Sequence, residues 1–189
     1  PSDNSNNANS SLTSVVAADF RVLAPQLSVF QLVDGTYQLV QQMKLPASAS
    51  LSHQLVQYWL KINGQTNAIF DGSDALKQAF FEAAREAITA LSEQTAFKQV
   101  VNKKYNCQLS IEEMQQLCAQ FTSEIITGFR QYLANDQASV PDPVMLYLVG
   151  PKDICDHLKI PLSKDIGLPI RIIDSTAAGQ VSIQQLISQ

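Results

Sequence analysis

The sequence lacks most of the residue combinations by which catalytic and metal sites are recognised. It has two histidines far apart in the chain, and its three cysteines are widely spaced: Cys107, Cys118 and Cys155. An odd number of distant cysteines suits reduced thiols better than a disulfide framework or a zinc site. No GxSxG elbow, paired-histidine helix or Walker phosphate loop is present. The common hydrolase signatures are therefore excluded, and we predict no metal.

Clusters of basic residues and long apolar runs are also missing. The formal net charge is -4 and the Lys and Arg residues are scattered, so extended attraction to a nucleic-acid backbone is not expected. No apolar run approaches the roughly 20 residues that cross a bilayer, and the first residues have no signal-peptide pattern. We therefore predict neither nucleic-acid binding nor direct membrane insertion, and a cytoplasmic location.

The chain does contain enough apolar residues for one sizeable core, since 46% of its 189 residues are hydrophobic. Residues 1–14 are rich in Ser and Asn and predict a flexible lead-in or linker. Residues 15–189 are predicted to form a single α/β domain.

The clearest local signal is a hairpin in "LSVFQLVDGTYQLVQQM". Two β-rich runs flank Asp34-Gly35, a pair that readily adopts the positive φ angles of a tight turn. Apolar residues at three- and four-residue steps then predict a helix over residues 48–62. The short "AIF" that follows is interpreted as a brief strand.

Two long helices are predicted in the middle of the chain. An apolar stripe runs from Asp74 to about Val101. The second helix begins at "SIEE", where Ser110 and Glu113 have capping-box spacing, and its apolar stripe continues to Phe129. Both stripes are typical of helices that face a core.

The stretch "VMLYLVGPKDICDHL" predicts a strand, a turn and a helix. Its continuous apolar run indicates a central strand covered on both faces by helices of the 74–133 region. A short helix near residues 154–159 and an edge strand "PIRIID" complete the order. The predicted fold class is α/β, with a mixed sheet packed against long helices. In such folds the turn that follows a strand, here Gly150-Pro151, often holds a ligand.

Several of these segments resemble actin-like ATPase domains, especially the pilus-assembly PilM family. The stretch from Ser123 to Asp174 is similar to the end of such a domain: a helix with "EI", a strand, a glycine turn, a short helix and a "GLPI" strand. "VNKKYNCQLSIEEMQQLC" is similar to a further segment of bacterial actin relatives, and "FQLVDGTYQLV" stands where the family has its second phosphate loop. The resemblance implies a single actin-like, ribonuclease H-like lobe. It also implies that any nucleotide, ATP with Mg, would bind at Asp34, Gly35, Thr36, Gly150, Pro151 and Lys152.

Departures from the family pattern favour loss of the nucleotide. Pro151 replaces the second glycine of the turn, the hairpin loop is short and poor in glycine, and only one of two lobes is present. We therefore expect no cofactor and a non-catalytic interaction module of a bacterial assembly such as a pilus or secretion platform, whose partner is another protein or a second copy. Two alternatives stay open: the nucleotide-binding lobe of an actin-like ATPase, and an unrelated small-molecule-binding α/β module with its pocket at the carboxyl ends of the strands.

The last predicted strand, "GLPIRIID", indicates an interaction surface. Alternation places Ile170 and Ile172 on one side and Arg171 and Ile173 on the other, so an edge strand cannot hide every apolar residue. We expect the tail "SIQQLISQ" to cover part of this surface as a short helix and a partner to cover the rest. The predicted interface residues are Arg171, Ile173 and Leu186.

Overall fold

The computed structural model of the chain describes residues 13–21, 25–44, 50–134, 142–176 and 181–189. Nearly all of the predicted lead-in, residues 1–12, lies outside the described residues, and Ser14 is the first residue of a strand. Over the described ranges the chain is mixed α/β, as predicted. None of the described helices is long and apolar enough to cross a membrane.

In the described ranges the chain forms seven strands and five α-helices. The strands are β1 (Ser14–Asp19), β2 (Gln26–Val33), β3 (Thr36–Lys44), β4 (Ala96–Val101), β5 (Tyr105–Ser110), β6 (Pro143–Gly150) and β7 (Ile170–Asp174). The helices are α1 (Leu51–Ile62), α2 (Asp74–Ala90), α3 (Ile111–Ala134), α4 (Lys152–Asp165) and α5 (Ile183–Ile187).

Five of the strands form one mixed sheet in the order β3-β2-β1-β6-β7, and β4 and β5 form a separate hairpin. The pairs β1·β2 and β2·β3 are antiparallel, whereas β1·β6 and β6·β7 are parallel. The carboxyl ends of β1, β6 and β7 therefore lie together at one end of the sheet.

The centre of the sheet is β1, a strand that the sequence patterns did not predict. Val16 and Ala17 are fully buried there, between β2 and β6. The run "VMLYLV" belongs to β6, which lies one position from the centre, and its first residue, Val144, is 52% exposed. The expected cover on both faces is therefore complete only for the last four residues of the run, 146–149, which are buried.

The two faces of the sheet carry separate cores. On the first face α1 to α4 pack against strand residues that include Val16, Leu146 and Leu148. On the second face the buried residues come from the strands and from α5: Val15, Ala17, Phe30, Tyr147, Val149 and Ile187. The prediction that helices of the 74–133 region cover both faces is wrong, because α2 and α3 contribute only to the first core.

The predicted helix from Asp74 to about Val101 is too long. Helix α2 ends at Ala90, and the chain then turns into the β4–β5 hairpin, whose turn includes Asn102 and Lys103 with positive φ angles. Stacking of Phe97 in β4 on Trp59 in α1, with ring centroids 6.1 Å apart, is a tertiary contact that favours the hairpin over a longer helix. The segment "AIF" is also not a strand, since it lies in a 3-10 helix, Asn67–Phe70.

The local turn and capping predictions are confirmed. Asp34 and Gly35 have φ angles of 49° and 78° in the tight turn between β2 and β3. At the start of α3 the Ser110 hydroxyl accepts a hydrogen bond from the Glu113 N–H at 3.1 Å, and the Glu113 carboxylate accepts one from the Ser110 N–H at 2.7 Å. Helix α4 is longer than predicted and contains Pro161.

Candidate functional site

The candidate site lies at the carboxyl ends of the parallel strands β1, β6 and β7. Register places Asp19 beside Val149, and Gly150 beside Asp174, so the ends of the three strands meet. In open α/β sheets this edge is where ligands usually bind. Four features lie at this end of the sheet: a buried ion pair, a closed glycine turn, an acidic hollow and an apolar cleft.

The ion pair joins Asp19, the last residue of β1, to Arg21. The guanidinium donates to both carboxylate oxygens at 2.9 and 3.0 Å. The side chain of Asp19 is only 10% exposed and that of Arg21 only 5%. Arg21 also donates to the carbonyl of Val181 at 2.8 Å. Because Val181 immediately precedes the N-cap of α5, Arg21 ties the end of the central strand to the helix on the second face.

The turn at Gly150 is occupied by the protein itself. The Phe20 N–H donates to the Val149 carbonyl at 2.8 Å, and the Ser175 N–H donates to the Gly150 carbonyl at 3.0 Å. A Cβ placed on Gly150 would lie 3.1 Å from the Cβ of Phe20. The glycine therefore serves the close approach of the β1 end, and this space is not open to a ligand.

An open hollow of about 460 Å³ lies beside this turn and is rich in carboxylates. Glu93, Asp153, Asp156 and Asp174 line it, and Lys152 is the one cation among its described lining residues. The Lys152 ammonium lies 2.5 Å from an Asp156 oxygen, which raises the pKa of the lysine, and the Lys152 N–H donates to Asp174 at 3.2 Å. Phosphate would meet a net negative surface here.

A second concavity, of about 230 Å³, opens between the end of β1 and helices α1 to α4. Its walls include the rings of Phe20, Phe81 and Phe121, and its polar groups include the exposed guanidinium of Arg85. Arg21 also reaches this cleft, although its guanidinium is already bound by Asp19. Aromatic walls beside the unpaired guanidinium of Arg85 are suited to a small ligand that has an apolar body and one negatively charged group.

The structure does not bring the sequence-predicted nucleotide residues together. Gly150, Pro151 and Lys152 lie at the carboxyl end of β6, whereas Asp34, Gly35 and Thr36 form the turn beside the amino ends of β1 and β6. The eight residues of β6 separate these ends by about 23 Å at the usual rise per strand residue.

The three predicted interface residues lie on or near the second face. Ile173 and Leu186 are half-buried and pack against its core, but the main strand contact of the tail helix α5 is with β3, at the opposite edge of the sheet from β7. Cover of β7 by the tail therefore stays a prediction. Arg171, whose strand partner is Tyr147, remains exposed.

Metal binding finds no support among the described residues, in which no group of three or more His, Cys, Asp or Glu side chains could hold an ion. The cysteines are buried, and burial raises the pKa of each thiol to about 12: Cys107, Cys118 and Cys155. These thiols are protonated at neutral pH and are therefore weak nucleophiles and ligands.

Sequence reasoning missed both the Asp19–Arg21 pair and the aromatic cleft. The pair had one usable signal, an Asp that ends the apolar run "VVAA" with an Arg two residues later. The cleft had none, because its walls come from residues that are far apart in the chain.

In comparisons with known proteins, no family model matches this sequence and the search of curated proteins finds no relative.

Proposed function

We propose that this chain is a non-catalytic interaction module, an actin-like lobe that serves a bacterial assembly such as a pilus or secretion platform. The observation that carries the non-catalytic part is the placement of the two predicted nucleotide segments at opposite ends of the sheet. One nucleotide cannot bridge them. The order α3, β6, glycine turn, α4 and β7 agrees with the order that the resemblance to actin-like domains implies.

The electrostatics at the carboxyl ends support the same proposal. A nucleotide phosphate needs unpaired cations or free backbone N–H groups. Here the Lys152 ammonium is paired with Asp156, and the backbone N–H of Lys152 donates to Asp174. Four carboxylates line the hollow around this residue. Phe20 fills the turn that would receive the adenosine.

Small-molecule binding is the second candidate function, and the aromatic cleft is the observation that favours it. The cleft is separate from the acidic hollow, and Arg85 is a cation with no hydrogen-bond or ion-pair partner among the described residues. A ligand there would be small, since about 230 Å³ is below the usual range for drug-sized sites.

Thermal unfolding with and without Mg-ATP tests the proposal, together with an assay for released phosphate. A ligand that binds the native state raises the melting temperature, by an amount equivalent to about 2.7 kcal/mol at 100 times Kd. We expect no shift and no turnover. A shift abolished by Arg85→Ala but kept in Lys152→Ala would assign the ligand to the cleft. Turnover that is lost in Asp34→Ala would contradict the non-catalytic proposal.

A further inference from the structure

The aromatic cleft lies where the chain leaves the sheet in opposite directions. From the carboxyl end of β1 the chain passes to β2, on one side, and from the carboxyl end of β6 it passes through α4 to β7, on the other. Phe20, directly after β1, and Ile154, in α4, both line the cleft. Open α/β sheets most often hold a ligand where their connections diverge in this way. The position of the cleft therefore favours a binding site.

The charge of the cleft is opposite to that of the chain as a whole. Its described lining contains Arg21 and Arg85 and no Asp or Glu, although the chain has a net charge of -4. The guanidinium of Arg21 is held by Asp19. Arg85 has no hydrogen-bond or ion-pair partner among the described residues. One cation is therefore left for a ligand, which should carry one negative charge.

The first turn of α1 adds donors to the same wall. Leu51 and Ser52 line the cleft, and their backbone N–H groups have no acceptor among the described residues. The first N–H groups of a helix carry partial positive charge and favour an anion. In the same turn the His53 ring lies 6.3 Å from the ring of Phe81, measured between centroids. Phe81 is one helical turn from Arg85, so the free donors and the free cation belong to one region of the cleft.

The apolar walls set the size of the rest of the ligand. The rings of Phe20 and Phe121 contact each other with centroids 6.2 Å apart, and Phe81 contributes to the wall from α2. An apolar cavity of about 150 Å³ is enough to hold benzene. The cleft, at about 230 Å³, therefore has room for one ring or a branched chain together with a short acidic group.

We propose that this cleft binds a small monocarboxylate with an aromatic or branched apolar body. The carboxylate lies between Arg85 and the first turn of α1, and the apolar body lies against the three phenylalanine rings. A single carboxylate charge matches the one unpaired cation, whereas a phosphate monoester carries about two charges. This inference rests on the second candidate function, small-molecule binding, and names its class of ligand.

Titration of the full chain, followed by amide NMR spectra, tests the ligand class with three probes: phenylacetate, benzoate and 3-methylbutanoate. The amide of each acid keeps the apolar body without the charge, and acetate keeps the charge without the apolar body. We expect at least one of the three acids to bind and to shift the amide signals of Leu51 and Ser52. Its amide and acetate should bind about tenfold more weakly, because each lacks one of the two contributions.

Two variants place the ligand in the cleft. Arg85→Gln should raise the Kd of the bound acid about tenfold, because a charge-assisted hydrogen bond is lost. The matched control is Arg130→Gln, the same change at an exposed position of α3 outside the described lining, which should leave Kd unchanged. Phe81→Ala should weaken the binding of acid and amide alike, since it removes an apolar wall. Circular dichroism establishes that each variant is folded.

Three outcomes would each overturn the inference: a folded chain that binds none of the three acids, an amide that binds as tightly as its acid, or equal Kd values in Arg85→Gln and Arg130→Gln. Tight binding of the amide would leave small-molecule binding in place and remove only the carboxylate class. None of these outcomes involves nucleotide, so failure of the inference is distinct from failure of the non-catalytic proposal, which Mg-ATP binding and turnover measure.

Discussion

The two faces of the central sheet are covered by very different amounts of structure. The first face is packed by four helices, with fully buried aromatic residues such as Trp59 and Phe80 in its core. The second face is covered, among the described residues, by one five-residue helix, α5. Ile187 is the one buried residue of this helix.

This difference separates the part of the molecule that sets stability from the part that is available for contacts. Burial of apolar surface is the main favourable contribution to folding, at about 25 cal/mol per Å², so the first face should dominate the free energy of unfolding. The thinly covered second face adjoins both sheet edges. Regions with few buried contacts open at low free-energy cost, and interaction surfaces are drawn from them.

The largest expected effect is on the first face. Ile88 in α2 is 1% exposed within the main core, so Ile88→Ala should leave a cavity and lower the free energy of unfolding by about 4 kcal/mol. Urea denaturation measures this loss. A loss below 1 kcal/mol would show that the four-helix face is not the principal source of stability.

The second effect concerns the link between the faces. Asp19→Ala would leave the guanidinium of Arg21 almost fully buried with only the Val181 carbonyl as acceptor, at a cost of about 3 kcal/mol. The double variant Asp19→Ala/Arg21→Met removes the unpaired charge and should recover part of this loss. Equal stability of the single and double variants would contradict the ion-pair explanation.

The third effect is the matched change on the second face. Ile187→Ala removes the same atoms as Ile88→Ala, but α5 is short and can move to close the space, so we expect a loss of about 2 kcal/mol. Hydrogen exchange should also quicken at the amides of α5 without change in α2. Equal losses for the two isoleucines would remove the distinction between the faces.

The same contrast explains what the sequence could and could not predict. The Asp34-Gly35 turn and the Ser110–Glu113 box depend on neighbouring residues, and both were identified from short motifs. Strand β1 was missed because its small apolar residues become a strand only by pairing with β2 and β6, and β6 is distant in the chain.

The candidate site was harder to predict than the fold because it depends on topology. Residues 34–36 and Gly150 each form turns, and sequence order alone does not tell which end of the sheet each turn occupies. The prediction of one nucleotide site treated them as neighbours. Only the strand directions reveal that they are separated by the length of β6.

The smallest expected effect is a pH dependence confined to the helix-covered face. The Glu113 carboxylate accepts hydrogen bonds from the Tyr58 hydroxyl at 2.6 Å and from the Ser110 N–H, and these bonds lower its pKa below the ordinary 4.5. The same contact, together with burial, raises the pKa of Tyr58 to about 12, with burial as the larger cause. These two groups connect α1 to the start of α3.

The sign of the effect differs at the two ends of the pH range. Because the folded state lowers the pKa of Glu113, its stabilisation is present above pH 4.5 and is lost as pH falls through the folded value. For Tyr58 the stabilisation is present below pH 10 and is lost as pH rises toward 12.

Glu113→Gln should therefore reduce the acid-side slope of stability against pH, by less than about 1 kcal/mol since the carboxylate is near solvent. Tyr58→Phe should reduce the alkaline-side slope, the rest of which comes from other groups with raised pKa values, such as the three buried thiols. Glu112→Gln, one residue away without the Tyr58 contact, is the matched control for Glu113→Gln. Urea denaturation from pH 3 to pH 11 would contradict this assignment if Glu113→Gln and Glu112→Gln changed the acid-side slope equally.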